Sequence, residues 1–559
     1  MGQFINSMLL YDKDNKKERL LMVTKDDEGH KKYKFIDEPS VEFYITKEEF
    51  RGHPPLNYID RDKVDPVISS NRNIIKTVVK KLEDKELHDE FSRIVRSGNR
   101  FEYSKLRDFH LNPNVHGSDV NVEDHYIANY INRYQDEGKS PSLNKMYFDI
   151  EVDTVGYVEG FPDPEEALAP INAISAVDAS TNKVYVYTLK YDNEQYKKTM
   201  ADKQSLINEL DEKYKEKGLK FTYEFNEYDE EIDLIYGFLD MVNNDVKPDF
   251  NVAFNMGFDF GTIHNRIINL GEDPAEFFSP KDFEYKKVVF RPDNNSNDIS
   301  DKSDVFQTTS YTNWVDLLSL YANINKPKGR LESYSLDFIG NLELGEEKDE
   351  FEGSIVDLHF RDYRKFLLYN IQDTILTMMI DDKVKFIDLL YMISIMTRTR
   401  ISKALKKTIC LRNFAEKFYR EKGYVISNNR SRLQERHEGK IKGGFVGDPN
   451  NVAHIGMKLI EGLQEMSDKI FNNVSDFDLA SLYPSIMEAF NISPETFVCK
   501  LNYAEEKDGE FVNKTPEFID DYNSNDGVNF CVKYMGMPDL DTASEEIIAL
   551  LDSEVTVNV

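Results

Sequence analysis

The sequence predicts a multidomain protein that combines α/β and α+β folds. Its 559 residues are too many for one hydrophobic core and indicate about three or four domains. Hydrophobic residues make up 40% of the chain and aromatic residues 12%, which is enough to form packed cores. Between about residues 143 and 388, strand-like and helix-like segments alternate, and this alternation predicts an α/β domain.

The charge of the chain excludes nonspecific DNA binding over its whole surface. The formal net charge is −31, and an acidic surface repels phosphates. Residues 398–444 are an exception, with 14 Lys and Arg residues against four Asp and Glu, a net charge of +10. This stretch is typical of a surface that follows a phosphate backbone, and the alternative is a solvated basic helix face.

Cysteine content and hydropathy exclude other classes. Cys410, Cys499 and Cys531 are few and scattered, so we expect neither a zinc site nor a disulfide framework, as in a reducing cytosol. There is no run of about 18 apolar residues, and we therefore expect no membrane span. The N-terminus lacks a basic region followed by an apolar stretch, so we expect no secretory signal.

Local patterns divide the chain further. The run Val41-Glu42-Phe43-Tyr44-Ile45 predicts a strand, and the apolar spacing from His125 to Tyr134 predicts a helix. A polar stretch at 288–312 indicates a long loop or hairpin, and Gly443-Gly444 marks a turn. The predicted parts are an N-terminal α+β domain (1–142), an α/β domain (143–388), a basic helical connecting segment that packs with the N-terminal domain (389–450) and a last domain (451–559).

Four acids and one tyrosine form the first candidate site. Asp149 and Glu151 are two residues apart on a predicted strand, so their carboxylates share one face. Asp259 lies at the start of a probable helix, and Tyr369 and Asp373 are four positions apart on another. Four carboxylates can hold two Mg²⁺ or Mn²⁺ ions for phosphodiester hydrolysis, while a tyrosine hydroxyl orients the water.

These acids lie in three motifs, D-I-E, N-x-x-F-D and Y-x-x-x-D, which occur in the order found in DEDD-type exonucleases with a tyrosine in the third motif. The chain resembles that group. The resemblance implies a ribonuclease H-like domain that is a 3′→5′ exodeoxyribonuclease, with Asp149, Glu151, Asp259 and Asp373 as metal ligands. Each motif alone is more typical of a solvated strand edge or an ordinary helix surface. Only the combination of the three motifs indicates an exonuclease.

A second candidate site begins at Asp478, at the end of a predicted strand. The core D-x-x-S-L-Y-P-S-I from Asp478 to Ile486 resembles motif A of family B DNA polymerases. The resemblance implies that Asp478 binds metal, that the Leu479 carbonyl joins it, and that Ser481, Leu482 and Tyr483 contact the deoxynucleoside triphosphate. Pro484 suits the first turn of a helix over 481–490.

The resemblance extends to the T-even-type bacteriophage polymerases over roughly residues 143–500. It also rests on four shorter matches: Phe161-Pro162-Asp163-Pro164, Asp316-Leu317-Leu318-Ser319-Leu320-Tyr321, Ser335-Leu336 and Asn491-Ile492-Ser493-Pro494-Glu495-Thr496. It implies an N-terminal domain, an exonuclease domain and a partial palm, with two Mg²⁺ or Mn²⁺ ions per active site. The implied partners are single-stranded DNA, primer-template DNA, the nucleotide and a sliding clamp, in the cytoplasm of an infected bacterial host.

The chain also departs from this family. Ile441 stands where the family's Y-x-G-G loop has tyrosine, and we find neither a K-x-x-x-N-S-x-Y-G helix nor a D-T-D hairpin. The sequence therefore predicts the N-terminal subunit of a split DNA polymerase, whose second subunit supplies the fingers, the remaining palm and the thumb. Residues 500–559 would be remodelled palm or a docking surface. The alternatives are a stand-alone exonuclease with a vestigial palm, a non-catalytic nucleic-acid-binding assembly subunit and a gene fragment.

Overall fold

The computed structural model describes residues 2–427, except for positions 14, 52–57, 100–101, 103, 136–141, 159 and 346–356, and beyond them residues 482–489 and four short strands between 500 and 517. The chain forms two compact units. The larger unit contains residues 1–42, 67–77 and 118–423, and the smaller unit contains the remainder. None of the helices in this described part is long and apolar enough to cross a membrane.

Strands account for most of the first 70 residues and for the centre of the larger unit. In chain order they are β1 (Gly2–Asp12), β2 (Lys17–Asp26), β3 (Lys31–Asp37), β4 (Ser40–Thr46), β5 (Tyr58–Asp60), β6 (Val64–Ser70), β7 (Val115–His116), β8 (Lys145–Val152), β9 (Ile171–Asp178), β10 (Lys183–Leu189), β11 (Thr222–Tyr228), β12 (Phe250–Ala253), β13 (Val288–Arg291), β14 (Val305–Thr308), β15 (Asn313–Asp316), β16 (Tyr424–Ile426), β17 (Lys500–Leu501), β18 (Glu506–Lys507), β19 (Glu510–Phe511) and β20 (Pro516–Glu517).

The described residues also form α-helices, which follow in chain order. They are α1 (Ile74–Leu82), α2 (Lys85–Ser97), α3 (Val122–Tyr134), α4 (Glu194–Ala201), α5 (Lys203–Lys215), α6 (Glu231–Asp240), α7 (Met256–Asn269), α8 (Pro274–Phe278), α9 (Leu317–Asn325), α10 (Leu336–Leu344), α11 (Leu358–Arg361), α12 (Tyr363–Val384), α13 (Phe386–Thr397), α14 (Lys407–Glu421) and α15 (Leu482–Ala489).

A six-stranded mixed sheet is the centre of the larger unit, in the order β11-β10-β9-β8-β12-β15. Strand β8 pairs antiparallel with β9 and parallel with β12, and β12 pairs parallel with β15. The parallel strands are joined through helices, as parallel pairing requires. The alternation predicted for residues 143–388 is therefore present, and the stretch at 288–312 contains the antiparallel hairpin β13–β14.

Alternate side chains of β8 serve two different cores. Tyr147 lies in one hydrophobic cluster with Ile371 of α12, whereas Phe148 lies in the other with Phe260 of α7. Because successive side chains of a strand point to opposite faces, Asp149 shares the face of Tyr147, toward α12. The sheet thus carries helices on both sides and presents the acidic end of β8 between them.

Strands β1, β2 and β3 form an antiparallel sheet within the larger unit. A buried ion cluster links this sheet to the six-stranded one: the Asp249 carboxylate accepts from Lys25 Nζ at 2.5 Å and lies 2.9 Å from Lys31 Nζ. Asn144 N–H, just before β8, donates to the same carboxylate at 2.8 Å. A buried carboxylate with several charged donors is the arrangement that compensates its desolvation.

The described part of the smaller unit contains helix α2 and several short strand pairs. Strand β4 pairs with β7 through Tyr44 and Ile45, and β5 pairs with β16. The described part of the predicted helical segment (389–450) contains the end of α13, helix α14 and then strand β16, with residues 398–406 between the two helices. Residues 428–450 lie outside the described residues. The three predicted domain boundaries stay predictions.

Candidate exonuclease site

The D-I-E motif lies on β8, as its alternation predicts. Asp149 is opposite Ser175 of β9, and Glu151 is opposite Ala173, so both acids lie on the same face near the end of the strand. Both side chains are partly buried. Because β8 is an interior strand, backbone hydrogen bonds to its neighbours hold the main chain of both candidate ligands in place.

Asp259 reaches the same end of β8 from the first turn of α7. Its side chain is only 3% exposed, and its Oδ1 accepts the Ile150 N–H at 3.3 Å. Burial raises the pKa of Asp259 well above its usual range, and the negative charges of Asp149 and Asp316 raise it further. The first and second motifs are therefore brought together, and their carboxylates are close enough to repel each other.

The third motif lies on α12, which packs against β8 and β9. Tyr369 is partly buried and Asp373 is 7% exposed. Between them, Asn370 Nδ2 donates to Asp149 Oδ2 at 3.0 Å and to the Asp149 carbonyl at 3.3 Å. The helix that carries Tyr369 and Asp373 is thus tied directly to the first motif.

A buried hydroxyl pair fixes α12 more firmly. Ser175 Oγ donates to the Asn370 carbonyl at 2.9 Å and is also hydrogen-bonded to Thr374 Oγ1. Asn370 and Ser175 are both completely buried. Buried polar groups without partners are costly, so these bonds favour one rotation of α12 against the sheet.

Two functional candidates were not predicted as site residues. Asn370 has a role only because α12 lies beside Asp149, and nothing in the sequence around it indicates this. Asp316 ends β15, caps α9 by accepting the Ser319 N–H at 2.9 Å, and acts on Asp259 through its charge. Burial raises the pKa of Asp316 to about 6, and the neighbouring Asp304 charge contributes.

An exposed aromatic platform lies beside the second motif. Phe161 is 81% exposed, and its ring lies 5.5 Å from that of Phe258, the residue before Asp259. Among the large hydrophobic side chains of the described residues, that of Phe161 is the most exposed. The sequence pointed to Phe161 only as part of the Phe161-Pro162-Asp163-Pro164 match.

The donor chemistry of the site fits a hard divalent cation. Asp149 and Asp259 are carboxylates that repel each other, and a divalent cation would relieve that repulsion. Within the described residues, no group of three or more His, Cys, Asp and Glu side chains is already arranged to hold a metal ion. Strand β8 and helices α7 and α12, which carry the acids, are thus held together, but their described side chains do not form a complete set of metal ligands.

The polymerase-like site lies mostly outside the described residues, including Asp478, Leu479 and Ser481. The described part begins with α15 (Leu482–Ala489), which agrees with the predicted helix. Tyr483 is 72% exposed on this helix.

Comparisons with known proteins agree with these two regions. Residues 98–339 match the model for the DNA polymerase family B exonuclease domain, and residues 405–539 match the model for DNA polymerase family B. The first match contains Asp149, Glu151 and Asp259 and ends before Tyr369, and the second contains Asp478.

Several curated relatives are DNA polymerases. The chain is 27% identical over 420 residues to the DNA-directed DNA polymerase of Escherichia phage RB69, an alignment that covers 72% of this chain and 42% of that protein. It is 26% identical to the polymerase of Enterobacteria phage T4 (60% and 34% covered) and 24% identical to DNA polymerase 1 of Sulfolobus acidocaldarius (87% and 53% covered). The chain thus spans between about a third and about half of the length of these relatives. The two matches show that the chain belongs to family B of the DNA polymerases, with that family's exonuclease domain followed by part of its polymerase domain.

Proposed function

We propose that this chain is a metal-dependent 3′→5′ exonuclease acting on single-stranded DNA ends, and that it is part of a DNA-directed DNA polymerase. The observation that carries the proposal is the convergence of the three motifs on β8. Asn370 of the third motif bonds Asp149 at 3.0 Å, and Asp259 of the second bonds the Ile150 N–H at 3.3 Å. Family B exonuclease domains depend on divalent cations, which agrees with this acidic convergence.

Asp149, Glu151, Asp259 and Asp373 would hold Mg²⁺ or Mn²⁺ in this proposal, two ions in the active site. When bound, these ions supply a hydroxide nucleophile near neutral pH and stabilise the leaving 3′ oxygen. The raised pKa of Asp259 supports this assignment, because its ionised form needs a compensating cation.

Other residues of the chain would orient the reacting groups. Asn370 holds the Asp149 carboxylate in one orientation through the 3.0 Å hydrogen bond. Tyr369, one residue earlier on the same helix, would present its hydroxyl to the attacking water. The Phe161 ring would stack on a terminal base, because every nucleobase offers a π-face. In this account, stacking positions the substrate end, and the cations that the four carboxylates would hold position the phosphate.

A cleavage assay tests this proposal. The purified chain is incubated with a 5′-labelled single-stranded oligonucleotide in Mg²⁺, in Mn²⁺ or in EDTA. We expect stepwise shortening from the 3′ end in either metal and none in EDTA. Asp149→Ala and Asp259→Asn should each remove most of the activity, whereas Asp192→Ala, at an exposed acid of the same unit, should not. Wild-type cleavage by Asp259→Asn would reject the second motif.

The finer architecture belongs to the same proposal. The exonuclease domain would have a ribonuclease H-like fold, and the mixed six-stranded sheet with helices on both sides supports this. The division into four parts at residues 142, 388 and 450 is also part of the proposal. The phage relatives support a place in the cytoplasm of an infected bacterial host.

For DNA synthesis, we propose that polypeptide outside residues 1–559, in a second chain or in a continuation of this one, supplies the fingers, the remaining palm and the thumb. The support is that residues 1–559 contain the motif A acid Asp478 but neither the K-x-x-x-N-S-x-Y-G nor the D-T-D motif. Asp478 would bind metal, and Leu479, Ser481, Leu482 and Tyr483 would contact the nucleotide on primer-template DNA. A sliding clamp would be a further partner.

Primer extension tests this part separately. The 559-residue chain is assayed on a primed template with four deoxynucleotides, alone and with a polypeptide that contains both missing motifs. We expect no extension by the chain alone and extension by the mixture. Efficient extension by the isolated chain would contradict the proposal, without affecting the exonuclease assignment.

A further inference from the structure

The larger unit contains a cavity of about 640 Å³ that is lined by more basic than acidic side chains. Strands β14 and β15, helix α9, the start of β1 and residues 400–408 contribute to its wall. Seven Lys and Arg residues line it against four Asp and Glu, in a chain of net charge −31. Its volume lies within the range of about 300–1,000 Å³ that is usual for small-ligand sites.

The acids of the wall are already engaged. Asp301 pairs with Lys326 at 2.5 Å, Asp304 accepts the Asp293 N–H at 2.6 Å, and Asp316 accepts the Ser319 N–H at 2.9 Å. Glu123 pairs with Arg400 at 3.3 Å. Asp304 and Asp316 form no ion pair with the described residues, so two carboxylates and five cations of the wall remain outside ion pairs, and the sum of these charges is positive.

Several cations of the wall form no ion pair with the described residues. They are Arg291, Lys302, Lys403, Lys406 and Lys407. Burial lowers the pKa of Lys403, and repulsion from Arg400, Lys406 and Arg291 lowers it further. Lys403 is partly buried, so this repulsion is weakly screened by solvent. An anion in the cavity would relieve it.

A polar group on the same wall also has no partner among the described residues. Ser7 on β1 is 8% exposed, and its Oγ accepts and donates no hydrogen bond there. Buried hydroxyls normally have a partner. A phosphate oxygen is an acceptor that a serine hydroxyl and lysine ammonium groups can share.

We propose that this cavity binds the phosphate group of a nucleotide, with Lys403, Lys406 and Arg291 as its cationic ligands and Ser7 as a hydrogen-bond donor. The nucleotide character of the ligand rests on the proposed function. The phosphate site itself follows from the cations. The phosphate belongs either to the backbone of single-stranded DNA or to a free nucleotide.

Binding measurements in EDTA separate these sources, because no metal-dependent cleavage then consumes the probe. The probes are thymidine 5′-monophosphate, measured by calorimetry, and a fluorescent 12-residue oligothymidylate, measured by anisotropy. The test variant is Lys403→Gln/Lys406→Gln in the full chain. The matched control is Lys215→Gln/Lys220→Gln, which removes the same charge from exposed positions of the same unit.

We expect the test variant to bind the probes at least about tenfold more weakly than wild type. The slope of log affinity against log salt concentration should fall in magnitude by about one for a lost phosphate contact. The control variant should stay close to wild type in both quantities. Weakened binding of both probes indicates a site that accepts a free nucleotide. Weakened binding of the oligonucleotide alone indicates a backbone phosphate. Equal effects of test and control variants, or no binding of either probe to the wild type, would overturn the inference.

Two further measurements keep the test decisive. Lys406→Gln/Lys407→Gln removes exposed cations and replaces the test variant if Lys403→Gln lowers the melting temperature. Cleavage in Mg²⁺ is measured in parallel. A wild type that binds through these lysines but does not cleave would overturn the exonuclease proposal alone. A wild type that cleaves, with variants that bind like the control, would overturn the cavity proposal alone.

Discussion

Asn370 Nδ2 donates a hydrogen bond to Asp149 Oδ2 at 3.0 Å, which joins the third acidic motif to the first. The same amide also donates to the Asp149 carbonyl at 3.3 Å. Residues that orient a metal-binding side chain are often as necessary as the ligand itself. The fixed position of α12 against β8 is therefore part of the candidate site.

Replacing Asn370 by alanine should lower exonuclease activity about 10- to 100-fold, the usual cost of losing a group that orients a ligand. The partly buried Asp149 carboxylate would lose a donor, and metal affinity should fall as well. Titration of activity against Mn²⁺ measures both effects. The control is Gln372→Ala on the same helix, which should behave like wild type in both. An Asn370→Ala enzyme with unchanged metal dependence would show that the hydrogen bond has no positioning role.

Tyr369→Phe should slow hydrolysis by about 10²-fold, because the hydroxyl that orients the water is removed while the ring remains. Metal affinity should stay near that of wild type, since no carboxylate is changed. Single-turnover cleavage at saturating Mn²⁺ separates these two quantities. A loss of metal affinity with an unchanged maximal rate would place Tyr369 outside the reaction.

Phe161→Ala should weaken the binding of single-stranded DNA by about 1–3 kcal/mol, the usual contribution of one base–aromatic stack. The exposed position of the ring makes a folding defect unexpected. Anisotropy with a labelled oligonucleotide in EDTA measures the effect. Leu168→Ala, at another exposed apolar side chain close in sequence, serves as the control. If both variants bind equally well, the ring does not stack on the substrate.

Asp316 should make the stability of the protein depend on pH. Its pKa rises from 3.8 to about 6 on folding, so between these values the folded state holds a proton that the unfolded state releases. Stability relative to Asp316→Asn should therefore fall as pH rises from about 4 to about 6, by at most about 3 kcal/mol, and then stay level. Asparagine is chosen because it still caps α9.

Urea unfolding of both proteins in EDTA, at intervals from pH 4 to pH 7, measures this difference. The comparison cancels the titration of the shared groups that do not interact with the charge of Asp316, which excludes Asp259 and Asp304. A difference that is constant across the range would show that Asp316 titrates with its ordinary pKa in the folded protein.

The sequence predicted some elements because their patterns are local. A strand was predicted to carry Asp149 and Glu151, and β8 carries both. Strand β4 and helix α3 likewise follow from alternation and apolar spacing. The β13–β14 hairpin lies inside the polar stretch that indicated a loop or hairpin.

Other features could not be predicted, because they depend on contacts far along the chain. In β1, residues 4–8 are all buried, so the alternation that marks a half-exposed strand is absent. The role of Asn370 depends on a contact across 221 residues, and that of Asp316 depends on the charge of Asp259. For the second site, the structure describes only the helix from Leu482 to Ala489, so Asp478 stays a prediction.

The central claim is that the acids of the three motifs bind divalent cations together. The most direct measurement is a crystal structure of the chain with Mn²⁺ and a short single-stranded oligonucleotide, with anomalous data collected for manganese. We predict manganese peaks coordinated by Asp149, Glu151, Asp259 and Asp373, with the 3′-terminal phosphodiester beside them. Bound oligonucleotide with no manganese at these four carboxylates would contradict the account.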